Sequence, residues 1–276
     1  MLSRCRPWLG TYVEITAESV EAIDAAFTAV GTAHRLMSAH EPGSDVSRIN
    51  RFAHLRPVEV HGWTARVIER ALYWSKESKG AFDVVRAGKA AVDRELLPRH
   101  PDQPQPEASH WSWLEIQGTS VRLLKPGCID LGGIAKGFAV DRALDALRGA
   151  GSRRGLVNAG GDLAGFGPEP WSVTLVEPGG RRPVAAIEIV DVALATSAGL
   201  PGAGDGIVFD HLGQENGRWV SVSVIAKTAC DADALTKIVW SGGVNARLLA
   251  AAGAGAMGLT TLGKIETIGA MAEAAA

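Results

Sequence analysis

Cysteine is scarce in this chain. Cys5, Cys128 and Cys230 are the only three, far apart and odd in number, so they form neither a disulfide framework nor a zinc pattern. Long apolar runs are also missing, and none approaches the roughly 18 residues that a membrane span needs. Neither sign of charge is in excess: 28 Lys and Arg stand against 30 Asp and Glu, a formal net charge of -2. That balance argues against a nucleic-acid or anionic-membrane binder, which carries a basic surplus. The N-terminal stretch Met1 to Trp8 has basic residues with no apolar segment behind them. No signal peptide is therefore expected, Cys5 is not expected to be a lipid-attachment site, and a cytoplasmic location is the expectation. What is present is ordinary globular material: 276 residues, 46% hydrophobic and 21% charged, enough to bury a core. One domain over residues 1–276 is expected, interrupted by a proline-rich loop near 97–109 that holds Pro98, Pro101, Pro104 and Pro106.

Periodicity places the elements. Thr11 to Thr16 reads as the first strand, and Ile23, Phe27, Val30 and Met37 recur at helical spacing behind a potential N-cap, Ser19. Ser38 to Asn50 reads as a polar loop turning at Pro42-Gly43, and Trp63 to Ser78 as a helix stopped by Gly80. Trp111 to Ile116 and Ser120 to Leu124 form a hairpin pattern; Ala139 to Leu147 is helical; Leu156-Val157 begins a short buried strand. Trp171 to Val176, Val184 to Val190 and Arg218 to Ala226 read as strands. Asp231 to Ala252 reads as a helix broken at Gly242-Gly243, and Ala256 to Ile268 as a terminal hairpin. Strands grouped in hairpins with helices between the groups predict an α+β fold with mixed or antiparallel sheets and flanking helices.

Several segments could carry chemistry. Gly253, Gly255 and Gly258 spell G-x-G-x-x-G, but a helix precedes them and a strand follows, the reverse of a dinucleotide fingerprint. Asp130-Leu131-Gly132-Gly133-Ile134-Ala135-Lys136-Gly137 lies between a strand-like run and a helix, so its backbone amides can face an anion. The bland reading is a glycine turn capped by Asp130. It is not a Walker A loop, since Phe138 stands where that motif has its lysine. Asn158-Ala159-Gly160-Gly161-Asp162 is a second glycine loop at a strand end, read either as a plain turn or as a close approach of backbone to ligand. Asp231-Ala232-Asp233-Ala234-Leu235-Thr236 opens a helix. Its carboxylates complement the macrodipole, or with a hydroxyl and nearby carbonyls they offer oxygen ligands to magnesium. His211, taken alone, is more often structural than catalytic.

Taken together, these segments resemble the ApbE family, the FAD:protein FMN transferases once called thiamine-biosynthesis lipoproteins. Ser44 to Asn50 is similar to its S-x-x-S-R-x-N segment, Gly80 to Asp83 to G-x-F-D, and Asp130 to Asp141 to D-L-G-G-I-A-K-G-x-A-x-D. Asn158 to Asp162 is similar to N-x-G-G-D, Ala195-Thr196-Ser197 to A-T-S, and Ala232 to Leu235 to A-D-A-L. The resemblance runs from Leu9 to about Val239. It implies cleavage of FAD at its pyrophosphate, transfer of FMN to a threonine or serine hydroxyl of a target flavoprotein, release of AMP, and Mg2+ as cofactor. It also implies a site: Leu9, Ala81, Phe82, Asp83, Asp130, Lys136, Asn158, Gly160, Gly161, Ser197 and His211 toward FAD, a backbone oxygen of Gly133 with Asp233 and Thr236 toward the metal, and His211 and Asp233 as the catalytic pair.

Two departures from the family pattern stand out. The family usually has threonine four residues after the A-D-A-L aspartate; here that position is Lys237, with Thr236 one residue earlier. An i, i+3 pair still shares a helix face, so Thr236 is expected to serve the metal while Lys237 reaches to solvent. The other outcome places the ammonium beside Asp233, in part replacing the cation. Second, Leu212 to Gly217 after His211 is unlike the usual I-D-P-R-T-G. These departures keep two alternatives open: a flavin-binding protein that has lost transfer, and a magnesium-dependent FAD pyrophosphatase.

Overall fold

The structure, a computed structural model, describes residues 1–97, 108–179, 182–199, 212, 217–242 and 246–269. The first two strands, β1 (Leu2–Trp8) and β2 (Thr11–Ala17), form a hairpin whose turn residues Leu9 and Gly10 both have positive φ. Helix α1 (Val20–Met37) follows, capped by Ser19, whose Oγ accepts from the Ala22 amide at 3.2 Å. Then come α2 (Asp45–Phe52), the short β3 (Val58–Glu59), α3 (Gly62–Glu77) and α4 (Val84–Asp93). A 3-10 turn at Trp111–Trp113 leads into the hairpin β4 (Leu114–Gln117) and β5 (Ser120–Leu123). The second half runs α5 (Ala135–Gly149), β6 (Gly155–Ala159), β7 (Asp162–Phe166), β8 (Trp171–Val176), β9 (Pro183–Ile189), β10 (Val192–Ala198), β11 (Trp219–Ala226), α6 (Ala229–Trp240), α7 (Ala246–Ala251), β12 (Gly255–Thr260) and β13 (Ile265–Gly269).

The predicted α+β architecture is what forms. One sheet has the order β1-β2-β6-β7-β10-β11-β12-β13, antiparallel throughout. α1 packs on α5, α5 on α6, and α6 on β10 and β11. Their apolar faces meet the sheet in the main core, which includes Ile15, Ile23, Phe27, Leu147, Val157, Val224 and Leu235. A smaller cluster, Leu163, Leu175, Ile189, Leu194 and Met257, seats the β8–β9 hairpin on the sheet. A separate sheet, β3-β5-β4, packs with α2 and α3. Among the described residues no helix is long and apolar enough to cross a membrane.

Besides the two-residue β3, five elements escape the sequence reading, each for a physical reason. α2 lies in the segment read as loop. Val46, Ile49 and Phe52 have helical spacing, and the Ser44 hydroxyl accepts from the Ser47 amide at 3.0 Å, but three apolar residues among polar ones give little periodicity. α4 opens on Asp83 behind the Gly80 stop signal. β1 is an edge strand with an exposed face, where Pro7 is tolerated. β7 is buried at every residue and β10 over Ala193 to Ala195, so neither alternates. Gly253, with φ +59, follows α7, and Gly255 and Gly258 lie inside β12, so this G-x-G-x-x-G opens no helix. Residues 98–107, most of the proline-rich loop, lie outside the described residues.

Gly137 fixes how closely α5 approaches α6: a Cβ there would lie 2.0 Å from the Ala229 carbonyl oxygen. Gly137→Ala is expected to lower unfolding free energy by about 2 kcal/mol or more, because backbone must move. Gly149→Ala, in the same helix with no neighbour within 4 Å of its Cβ, is expected to be neutral or stabilising by up to about 1 kcal/mol. Denaturant midpoints of the two variants check this; equal midpoints would refute the close-approach argument.

Candidate functional site

Four segments converge where α5 meets α6. Asn50 pins the lead-in: its amide oxygen accepts from the Ile129 N–H at 2.7 Å and its amide nitrogen donates to the Ile129 carbonyl at 3.0 Å. The chain then turns at Asp130, whose Oδ1 accepts from the Gly132 amide at 2.8 Å. α5 begins behind Ile134, an N-cap residue whose side chain makes no capping bond. The first turn of α5 is instead satisfied from elsewhere: the Ala135 amide donates to the Leu131 carbonyl at 2.8 Å and the Gly137 amide to Asp233. A cavity of about 460 Å3 opens at this end, lined by Leu9, Gly10, His34, Met37, Asp130 and Lys136 among others. That volume suits a ligand of cofactor size.

Behind the cavity wall lies a buried ionic cluster. Lys136 Nζ reaches Asp162 Oδ2 at 2.5 Å and Asp233 Oδ2 at 3.6 Å. Asp233 is fully buried; its Oδ2 also accepts from the Gly137 amide at 3.3 Å, and its Oδ1 accepts from Lys237 Nζ at 2.9 Å. Lys237 Nζ donates further to Ser197 Oγ at 2.6 Å and Thr236 Oγ1 at 3.0 Å. Burial alone would raise the Asp233 pKa, but the two lysines outweigh it and hold it below the usual carboxylate value. Burial would lower that of Lys136, but Asp233 and Asp162 outweigh it and hold the lysine charged. Asp162 goes the other way: burial, then the nearby Asp233 charge, raise it to about 6 against the pull of Lys136 and Lys237.

α6 is aimed at this cluster from outside it. Asp141, one turn along α5, accepts from the Ala229 and Cys230 amides at 2.8 and 3.0 Å, which satisfies the helix N-terminus from a neighbouring element. Asp231 is drawn away, bonded to Arg70 Nε at 2.5 Å and Trp74 Nε1 at 2.8 Å.

The residues named from the sequence separate into groups. Leu9, Asp130 and Lys136 line the large cavity. Asp233, Thr236 and Ser197 join the ionic cluster through Lys237. Gly133 lies against both Lys237 and Phe82: a Cβ there would stand 3.2 Å from Lys237 Cγ and 3.3 Å from Phe82 Cε2. Asp83 is fully buried, with Oδ1 taken by the Val85 and Arg86 amides and Oδ2 by the Trp111 amide; it caps α4 and holds the turn. The Ala81 carbonyl accepts from Ser241 Oγ at 3.1 Å. Gly160 and Gly161, at φ +64 and +98, make the two-residue turn between β6 and β7, with Asn158 Oδ1 accepting from the Gly161 amide at 3.0 Å. That turn and the nearness of Thr11, 2.4 Å from a Cβ at Gly160, account for both glycines. Asn158 and Gly161 border a second cavity of about 260 Å3 rather than the first. His211 lies outside the described residues.

Lys237 does not reach to solvent as expected. Its side chain is only 16% exposed, because three oxygens hold its ammonium inside. Asp162 and Asp141 were missed as site residues although both stand inside recognisable segments. The signal available was charge: a buried Lys136 demands a carboxylate partner.

Comparisons with known proteins agree with the geometry. The ApbE family profile matches residues 9–257. The FAD:protein FMN transferase of Treponema pallidum is 26% identical over 256 residues, covering 79% of this chain and 70% of that protein. The one from Haemophilus influenzae is 26% identical over 257 residues, covering 81% and 71%. The crystal structure of the ApbE protein of Thermotoga maritima superposes with a TM-score of 0.84 at 25% identity, covering 97% of this chain and 96% of that one.

Asp141 supplies a pH test of how α6 is held. Burial, opposed by the Cys230 and Ala229 amides, raises its pKa from 3.8 to about 6. A folded-state value above the unfolded one means that the group's stabilising contribution is complete below 3.8 and is lost as pH rises through about 6. Asp141→Asn keeps an acceptor oxygen and removes the titration. The wild type is therefore expected to lose stability relative to the variant between pH 4 and pH 6.5. Melting temperatures at both pH values check this, and a constant difference would contradict it.

Proposed function

Because the chain belongs to the ApbE family, we propose that it is an FAD:protein FMN transferase: it transfers FMN from FAD to a threonine or serine hydroxyl of a target flavoprotein. The hydroxyl oxygen bonds to the FMN phosphorus, the bond from that phosphorus to the bridging oxygen breaks, AMP leaves with the bridging oxygen, and the hydroxyl proton passes to solvent. Reactions of this type need positioning and charge neutralisation more than covalent help from the protein. The observation that carries the reading is the start of α5, where the Lys136 ammonium, held by Asp162 and Asp233, lines the cavity of about 460 Å3. A fixed ammonium there suits phosphate oxygens. Asp233 and Asp162 hold Lys136 charged and in place.

Magnesium, implied by the sequence resemblance, does not fit the arrangement at Asp233. The carboxylate, the Ser197 hydroxyl and the Thr236 hydroxyl are the oxygen donors a hard cation takes, yet all three are bonded to one ammonium, Lys237 Nζ. A metal ion and that ammonium cannot share the position, so no step is assigned to a metal.

Incubation of the protein with FAD and a threonine-bearing acceptor domain tests the proposal. Covalent flavin on the acceptor and an equal amount of AMP are expected. AMP and FMN with no labelled acceptor would mean pyrophosphatase activity, and intact bound FAD would mean that transfer is lost. Lys136→Met is expected to weaken FAD binding at least about tenfold, the loss of one charge-assisted contact of about 1.5 kcal/mol or more. Flavin fluorescence quenching measures it, with circular dichroism checking the fold.

A further inference from the structure

The Lys237 ammonium is bonded as a small cation is bonded. Lysine has three N–H donors, and here each has an oxygen: Asp233 Oδ1 at 2.9 Å, Ser197 Oγ at 2.6 Å and Thr236 Oγ1 at 3.0 Å. The acceptors are arranged to receive it. The Thr236 hydroxyl gives its own proton to the Asp233 carbonyl at 2.7 Å, which leaves its lone pairs for Lys237 and for the Ser197 hydroxyl 2.7 Å away. Every donor in this ring then has an acceptor.

A second, independent observation concerns the stem. Gly133 stands where a Cβ would press on Lys237 Cγ at 3.2 Å and on the Phe82 ring at 3.3 Å. The missing side chain at 133 makes room for the aliphatic part of the lysine between the glycine turn and α6. A lysine that pointed to water would need neither the three acceptors nor that room.

We propose that Lys237 is a built-in cation that occupies the hard-cation position at Asp233, so that this chain excludes a divalent ion there and binds FAD without one. The second half rests on the flavin reading above; the first does not. Charge sets the consequence. Lys136 and Lys237 together balance Asp162 and Asp233, so the cluster is neutral when all four are ionised. A divalent ion beside an uncharged residue 237 would leave it one unit positive. The lysine thus neutralises Asp233 but presents less positive charge to a pyrophosphate, and Lys136 carries more of that contact.

The test uses the full chain stripped of metal, without flavin. Mn2+ is titrated by electron paramagnetic resonance and Mg2+ by calorimetry, on the wild type and on Lys237→Thr, with Lys237→Gln as a second variant should the first not fold. The wild type is expected to show no saturable site below about 1 mM, and the folded variant to gain one of 1:1 stoichiometry, tighter by about tenfold or more. A 1:1 site in the wild type overturns the proposal, and so does a folded variant that gains none. FAD binding is measured separately by fluorescence, with excess chelator and with excess Mg2+. Equal affinity in the two supports the proposal, and a loss of more than about tenfold in chelator overturns it. Absence of FAD binding in both would defeat the flavin reading and the second half with it, while the metal titration still decides the first.

Discussion

A carboxylate with no access to water governs the arrangement of α5, α6 and the sheet around them. Asp233 is fully buried, and an unpaired charge in that position would destabilise the fold by several kcal/mol. Its compensation comes from three places: Lys136 and the Gly137 amide on α5, and Lys237 on its own helix. Gly137 can donate only because α5 lies against the Ala229 carbonyl, too close for any Cβ. Asp141, further along α5, then closes the first amides of α6. The helix crossing, the capping and the ionic cluster are therefore one constraint, and moving any of them exposes or strands the charge.

The same constraint explains why the cluster faces the cavity. Lys136 must reach inward to Asp162 and Asp233 while its helix begins at the cavity mouth. A buried pair of this kind contributes little net stability, since desolvation offsets most of the attraction. Its effect is to keep one ammonium ionised and fixed in direction at the start of α5, beside the cavity.

Much of this was legible in the sequence, but unevenly. α1 was readable because Ile23, Phe27, Val30 and Met37 share a stripe and Ser19 caps it; the terminal hairpin was readable over Ala256 to Ile268. β7 and β10 were not, because strands buried on both faces lose the alternation that betrays a strand. Within the site, letters gave position without orientation. Asp83, Asn50 and Asp141 all sit in recognisable segments, yet each uses its side-chain oxygens on backbone amides. These contacts shape the site from within. Nothing in one sequence distinguishes a carboxylate that caps a helix from one that meets a substrate, because both lie at turns beside glycines.

Lys237 shows the limit most clearly, and also what the structure adds. From the sequence, a lysine one turn from a helical aspartate has two fates, and entropy and hydration favour the solvent. The balance shifts when the aspartate is fully buried and two hydroxyls converge on the same point. The lysine then exchanges water for a carboxylate and two oxygens that have no other cation among the described residues. Leaving Asp233 with Lys136 at 3.6 Å as its sole counter-charge would cost more than ordering a four-carbon stem, whose rotamer entropy is about 2 kcal/mol. The aspartate thus sets the fate of the lysine, and the glycine at 133 permits it.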